Sequence, residues 1–198
     1  MWPLAACSLV GVALVIERSF VLGNAFTANR FFRKQHEEAL EAVKAGHWSE
    51  ALEIASACES GIGRTFAAAL ADREAGFTES MAAAAQQEIY RLKRHLPTLD
   101  TLITASPMLG ILGTVTGIIR TFGELNATGM DHPALATAGI SEALITTAAG
   151  LVIALSLLFP YHYLTSRIRR YTEELERVTA RLEVARQYGE KCPVETPE

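Results

Sequence analysis

No charged residue stands between Asp100 and Arg120, and the surrounding run from Leu99 to Phe122 is otherwise apolar. A segment of that length keeps its backbone polar groups bonded in hydrocarbon only as a helix. A second run, Ala134 to Leu164, carries a single charge, Glu142, before Arg167. A third spans Trp2 to Ile16 and continues past Glu17 and Arg18 through Phe20, Val21 and Leu22. Three such runs in 198 residues predict an all-α membrane protein with three transmembrane helices and long helical extensions. The bulk averages, 49% hydrophobic, 20% charged and a mean hydropathy of +0.18, conceal this division into uncharged and charge-rich stretches.

Charge asymmetry orients the spans. Arg30, Arg33 and Lys34 follow the first run; Arg91, Lys93 and Arg94 precede the second; Arg167, Arg169 and Arg170 follow the third. The segment Gly123 to Pro133 has Glu124, Asp131 and His132 but neither Lys nor Arg. The positive-inside rule then puts the N-terminus and this loop outside, and the basic flanks in the cytoplasm. The expected divisions are a first transmembrane helix over 1–22, a cytoplasmic helical domain over 23–97, and a second span over 98–122. An outer loop over 123–133, a third span over 134–165 and a C-terminal helix and tail over 166–198 complete the chain. A secretory signal peptide competes for the first run, but it wants basic residues ahead of its apolar core, whereas Arg18 follows it.

The cytoplasmic part reads as helix. Phe31 to Ala45 has helical periodicity and ends near Gly46, and Ser49 is the expected cap of the next helix. Ala45 to Leu52 resembles the turn of a tetratricopeptide-type hairpin, but one copy makes no solenoid. Ser60-Gly61-Ile62-Gly63 marks another turn. Thr78 to His95 is predicted as a long helix running into the second span, with Pro97 bending it or marking its start. Beyond the third span, Leu175, Val178, Leu182 and Ala185 form the apolar stripe of an amphipathic helix.

At about 100° per residue, Ser106, Gly110, Gly113, Thr114, Gly117 and Thr121 share one face of the second span, and Thr116 points the other way. Such a stripe is smooth, lightly polar and suited to close helix approach. On the third span Ala136, Ala143, Thr147, Gly150 and Ala154 form one broad face, with Glu142 and Thr146 neighbours at i, i+4. Thr114 and Thr147 each lie about 20 Å along their spans, at 1.5 Å per residue, so two hydroxyls converge near mid-membrane depth. Membrane threonines also bond back to their own helix, which is the plain structural alternative. Glu142, two turns from the outer end, either caps the helix or works as an intramembrane ionisable group. No Asp, Lys or His lies near the midplane, so a proton path here takes its central carrier from a partner helix.

Other functions find little support. A net charge of −4 without a basic stripe speaks against nucleic-acid binding. Cys7, Cys58 and Cys192 have neither disulfide nor metal spacing. No nucleophile–base pair, metal cluster or phosphate loop stands out, and Glu88 and His95 lack a metal-like companion. No catalytic residue, cofactor or metal is expected.

Three stretches resemble one family. Ser106 to Phe122, SPMLGILGTVTGIIRTF, resembles the Pro-x-x-Gly-x-x-Gly-Thr-Val-x-Gly-x-x-x-x-Phe second span of the ExbB/TolQ/MotA proton-channel family. Gly139 to Leu151, GISEALITTAAGL, resembles the start of its third span, and Met1-Trp-Pro with its apolar run to Ile16-Glu17-Arg18 resembles its first. Three spans, with the main soluble segment between the first two, are similar to the ExbB/TolQ branch rather than the four-span MotA branch. The resemblance implies a pentameric ring in the bacterial inner membrane. Its pore would hold single-span ExbD/TolR-like partners that bring a membrane Asp, and it would energise TonB-like or TolA-like transducers. By the same resemblance, Thr114 and Thr147 line the pore near that Asp, with Glu142, Thr121 and Thr146 on the proton path. Gly110, Gly113, Gly117 and Gly150 serve helix packing and partner contact. The expected activity is ExbB-like, the alternatives a TolQ-like subunit or a non-conducting scaffold. Departures from the pattern are Ser156 where the family often has Pro, Tyr161-His162 for Tyr-Asn, a Pro160 one turn late, and a first span without the amphipathic helix that precedes it in some members.

Overall fold

The computed structural model describes residues 2–73, 76–128 and 133–191, leaving aside the side chains of 127, 128 and 133–136. Asp131, His132 and Cys192, named above, lie outside these residues. Seven α-helices follow in order, with no strand among the described residues: α1 (Trp2–Phe31), α2 (Arg33–Lys44), α3 (Trp48–Ala57), α4 (Gly61–Ala71), α5 (Phe77–Lys93), α6 (Leu96–Thr128) and α7 (Pro133–Lys191). Three helices are long and apolar enough to cross a membrane.

The chain divides into two compact units. One takes the start of the chain to Arg18 together with His95–Thr165; the other takes Ser19–Arg94 and the chain from Ser166 on. In the first, α1, α6 and α7 expose large apolar side chains, among them Leu9, Ile16, Ile119, Leu144, Val152 and Phe159. Water would not tolerate such surface; lipid or a neighbouring helix covers it. Gly11 of α1 packs on the Leu157 side chain of α7. Arg18, buried near the end of this segment, pairs with Glu17 at 2.6 Å.

In the second unit, α2 packs on α3, α3 on α4, and α4 on α5. Local chemistry sets each turn. α2 stops because Gly46 takes φ 78°, and the N–H groups of Gly46 and His47 donate to the carbonyls of Val43 and Ala42 in a Schellman arrangement. Ser60 caps α4 by accepting from the Gly63 N–H at 2.9 Å, and His36 Nε2 meets the same hydroxyl at 2.7 Å. Burial holds the His36 imidazole below its ordinary 6.5 and outweighs the pull of Glu37 in the other direction. The stripe expected on the last helix is present: Leu175, Leu182 and Ala185 are fully buried and Val178 half-buried, with Tyr171 and Ile168 extending it. Tyr171 packs edge-on against Phe26, and burial pushes its phenol up to about 12.

Two expectations are corrected, and a third feature is added. Ser49 is not the cap of α3, because the helix begins one residue earlier at Trp48 with His47 in the cap position and no side-chain bond. The helix over 78–95 does not run on into the second span. Arg94 turns extended and His95 takes φ 67°, a left-handed break, before α6 restarts at Leu96. Pro97 sits in the first turn of α6, where its missing N–H costs nothing. The third span and the C-terminal helix are one 59-residue helix, roughly 90 Å long, that continues through Pro160.

Candidate functional site

The site grows from the way α6 and α7 are allowed to meet. They run antiparallel, and at each contact one side is a glycine or another small residue. A Cβ on Gly110 would lie 3.0 Å from the Thr146 carbonyl oxygen and from the Thr147 Cα; on Gly117, 2.9 Å from Ala143 Cβ; on Gly150, 2.5 Å from the Ser106 carbonyl oxygen. On Gly113 it would lie 2.5 Å from Thr146 Oγ1. The stripe read from the sequence is thus a backbone-to-backbone seam, the kind of contact that dispersion and weak Cα–H···O bonds stabilise in a membrane.

Within this seam the threonines divide. Thr114 donates to the Ile111 carbonyl at 2.7 Å, Thr116 to that of Leu112 at 2.8 Å, and Thr121 to that of Gly117 at 2.8 Å. Thr146 donates to the Ala143 carbonyl at 2.7 Å. All four bond back into their own helix, as hydroxyls in apolar surroundings do, and Thr146 also reaches the Gly110 carbonyl of the facing helix at 3.3 Å. Thr147 makes its shortest bond across the seam, donating to the Gly110 carbonyl at 3.0 Å, with Thr114 Oγ1 a second, longer acceptor at 3.4 Å. Thr114 gives its one proton to the Ile111 carbonyl, and Thr147 shares its own between the Gly110 carbonyl and Thr114 Oγ1. The two oxygens therefore meet with lone pairs available to a donor from elsewhere. Both residues are half-buried in the single chain.

Next to this pair, toward the C-terminal end of α6, a cavity of about 560 Å³ opens between the helices, lined by Gly113, Gly117, Thr121, Glu142, Ala143 and Thr146 of the expected faces. It also takes in Thr116, Arg120 and Glu124. Thr116 was expected to point away; the cleft is broad enough to include it. Arg120 Nε donates to Glu124 Oε1 at 2.9 Å. One cation and two carboxylates, Glu124 and Glu142, therefore line one cleft beside the hydroxyls of Thr121 and Thr146. The residues singled out in the sequence thus fall in two places: Thr114 and Thr147 at the crossing with Gly110 and Gly150, and Thr121, Glu142 and Thr146 in the cavity with Gly113 and Gly117. Sequence reasoning used Arg120 and Glu124 only as end markers of the span. Their i, i+4 spacing was the available signal.

Comparison with known proteins gives a consistent picture. The model of the MotA/TolQ/ExbB proton channel family matches residues 27–177. Biopolymer transport protein ExbB-like 1 of Synechocystis sp. is 35% identical, over 93% of this chain and 74% of that protein. Biopolymer transport protein exbB1 of Vibrio cholerae is 31% identical over 77% of this chain and 69% of its own length. The Tol-Pal system protein TolQ of Haemophilus influenzae is 33% identical over 50% of this chain and 43% of its own length.

Proposed function

Because the chain belongs to the MotA/TolQ/ExbB proton channel family, we propose that it is the ring-forming subunit of a bacterial inner-membrane proton channel that energises TonB-dependent outer-membrane transport. The observation that carries this reading is the Thr114–Thr147 oxygen pair, 3.4 Å apart on a seam of backbone, glycine and small residues. Hydroxyls pass or hold a proton but do not store one near neutral pH. A channel built on them needs a titratable group from a second protein, and a single-span helix with a membrane Asp supplies it. Five copies arranged around such partners would turn the two oxygens toward that carboxylate. The cavity with Glu142, Thr121 and Thr146 would connect it to the outer side, with the N-terminus periplasmic and the C-terminus cytoplasmic. Family membership also argues against an enzyme, since the family is one of proton channels.

The likeness to TolQ keeps a second assignment in view, a Tol-Pal envelope subunit acting through a TolA-like transducer. Proton chemistry would be the same and the energised partner different. Complementation of exbB and tolQ deletion strains separates them.

The test of conduction is proton uptake into vesicles that hold this chain and its single-span partner. Thr114→Val and Thr147→Val keep side-chain shape and remove the oxygen, so uptake should fall to background while the complex still assembles. Unchanged uptake in either variant, or no uptake in the wild type that depends on the partner's Asp, would leave a non-conducting scaffold as the better account.

A further inference from the structure

In the unit formed by Ser19–Arg94 and the chain from Ser166 on, a cavity of about 620 Å³ lies on the α4–α5 pair. It is lined by Arg64 and Ala68 of α4, by Gln87, Glu88, Tyr90 and Arg91 among the residues of α5, and by Arg94 just past its end. Three guanidinium groups therefore face one carboxylate. That carboxylate is already engaged: Glu88 is buried, Arg64 donates to both its oxygens at 2.7 and 2.9 Å, and Arg91 lies 3.8 Å away. The pair fixes Arg64 in the cavity wall. Arg94 has no ion pair among the described residues, and the cavity keeps an excess of positive charge. Ala68 and Ala84 leave the space open. Nothing in the mechanism above uses these residues.

We propose that this cavity binds the phosphate of an anionic phospholipid headgroup in the cytoplasmic leaflet. Two features select a lipid over a free phosphate. Arg94 stands two residues before Leu96, where α6 begins, and five before Leu99, where its apolar run begins, so the chain itself keeps the basic cluster near the bilayer. Tyr90, 76% exposed at the cavity rim, is the amphipathic ring that settles at headgroup depth. A soluble phosphate site would have no use for that exposed ring, and no glycine-rich loop of amides contributes to the cavity, as it does in sites built for free phosphate. The inference rests on the inward orientation proposed above, but its readout does not depend on proton flow.

The test is native mass spectrometry of the full chain extracted from bilayers of phosphatidylglycerol and phosphatidylcholine. Phosphatidylglycerol should stay bound and phosphatidylcholine should not. Arg94→Gln should weaken retention about five-fold and Arg91→Gln with Arg94→Gln about twenty-five-fold, from the attraction typical of each basic residue near an anionic surface. Arg170→Gln, on α7 outside the cavity, should leave retention unchanged. Equal loss in Arg170→Gln would mean diffuse surface charge and would overturn the site, as would full retention in the double variant. Displacement by millimolar inorganic phosphate would make it a free-phosphate site and overturn the lipid assignment. A mutant that conducts no protons yet retains the lipid would separate this proposal from the channel reading.

Discussion

Gly150→Ala is the sharpest probe of the seam between α6 and α7. The added Cβ would stand 2.5 Å from the Ser106 carbonyl oxygen and 3.2 Å from Gly110 Cα, both backbone atoms that no rotamer can move aside. A carbon settles at about 3.3 Å from a carbonyl oxygen, so the helices must part locally by about 0.8 Å. The Thr147 bond to the Gly110 carbonyl starts at 3.0 Å, and the same displacement carries it beyond hydrogen-bonding range. Overpacking costs about 1–3 kcal/mol and the interhelical bond about 0.6 kcal/mol, while alanine's better helix propensity returns up to about 1 kcal/mol. The net is a loss of about 1–3 kcal/mol. Gly123→Ala on α6 is the control: a Cβ there meets nothing within 4 Å, so only the propensity gain remains, and the sign reverses. Helicity followed as the detergent is titrated with dodecyl sulfate should show Gly150→Ala unfolding earlier than wild type and Gly123→Ala later. If Gly150→Ala shifts the midpoint upward as Gly123→Ala does, the helices are not held at backbone contact, and the placement of the threonine pair fails with it.

Gly113→Leu drives a branched side chain into Thr146 and should abolish both ring assembly and proton uptake; normal oligomers with normal activity would refute the packing. Arg64→Ala leaves Glu88 buried with only Arg91 at 3.8 Å, and should cost about 2–3 kcal/mol, read as a lower thermal unfolding midpoint. Acidification should weaken the fold through His36. Its folded value lies below 6.5, so the unfolded chain binds the proton first, and stability drops as the pH falls through and below 6.5, by at most about 1.4 kcal/mol per pH unit. In His36→Gln that part of the slope should vanish; an unchanged slope between pH 7.5 and 5.5 would assign the effect to other groups.

Much of this molecule was legible from the chain because hydrophobicity and period are local properties. Nineteen-odd uncharged positions after Asp100 call for a helix whatever they later touch. Small residues at helical spacing mark a contact face before any partner is known: Gly110 and Gly150 sit against backbone of the facing helix, and Gly113 and Gly117 against Thr146 and Ala143. The stripe of Leu175, Leu182 and Ala185 was found the same way. The break at His95 was missed because an isolated non-glycine residue in the left-handed region announces itself by no composition rule. The sequence showed Pro97 but not that the turn lies two residues before it.

The chain alone determined three spans, their smooth faces and the presence of hydroxyls at matching depth, since these follow from 1.5 Å of rise and 100° of turn per residue. Tertiary structure decided which hydroxyls reach beyond their own helix. Thr146 and Thr147 both reach the Gly110 carbonyl of the facing helix, at 3.3 and 3.0 Å, and for Thr147 that is the shortest bond it makes. It also decided that Arg120 and Glu124 share a cavity with Glu142, because a cleft between two helices has no counterpart in the order of residues along either one.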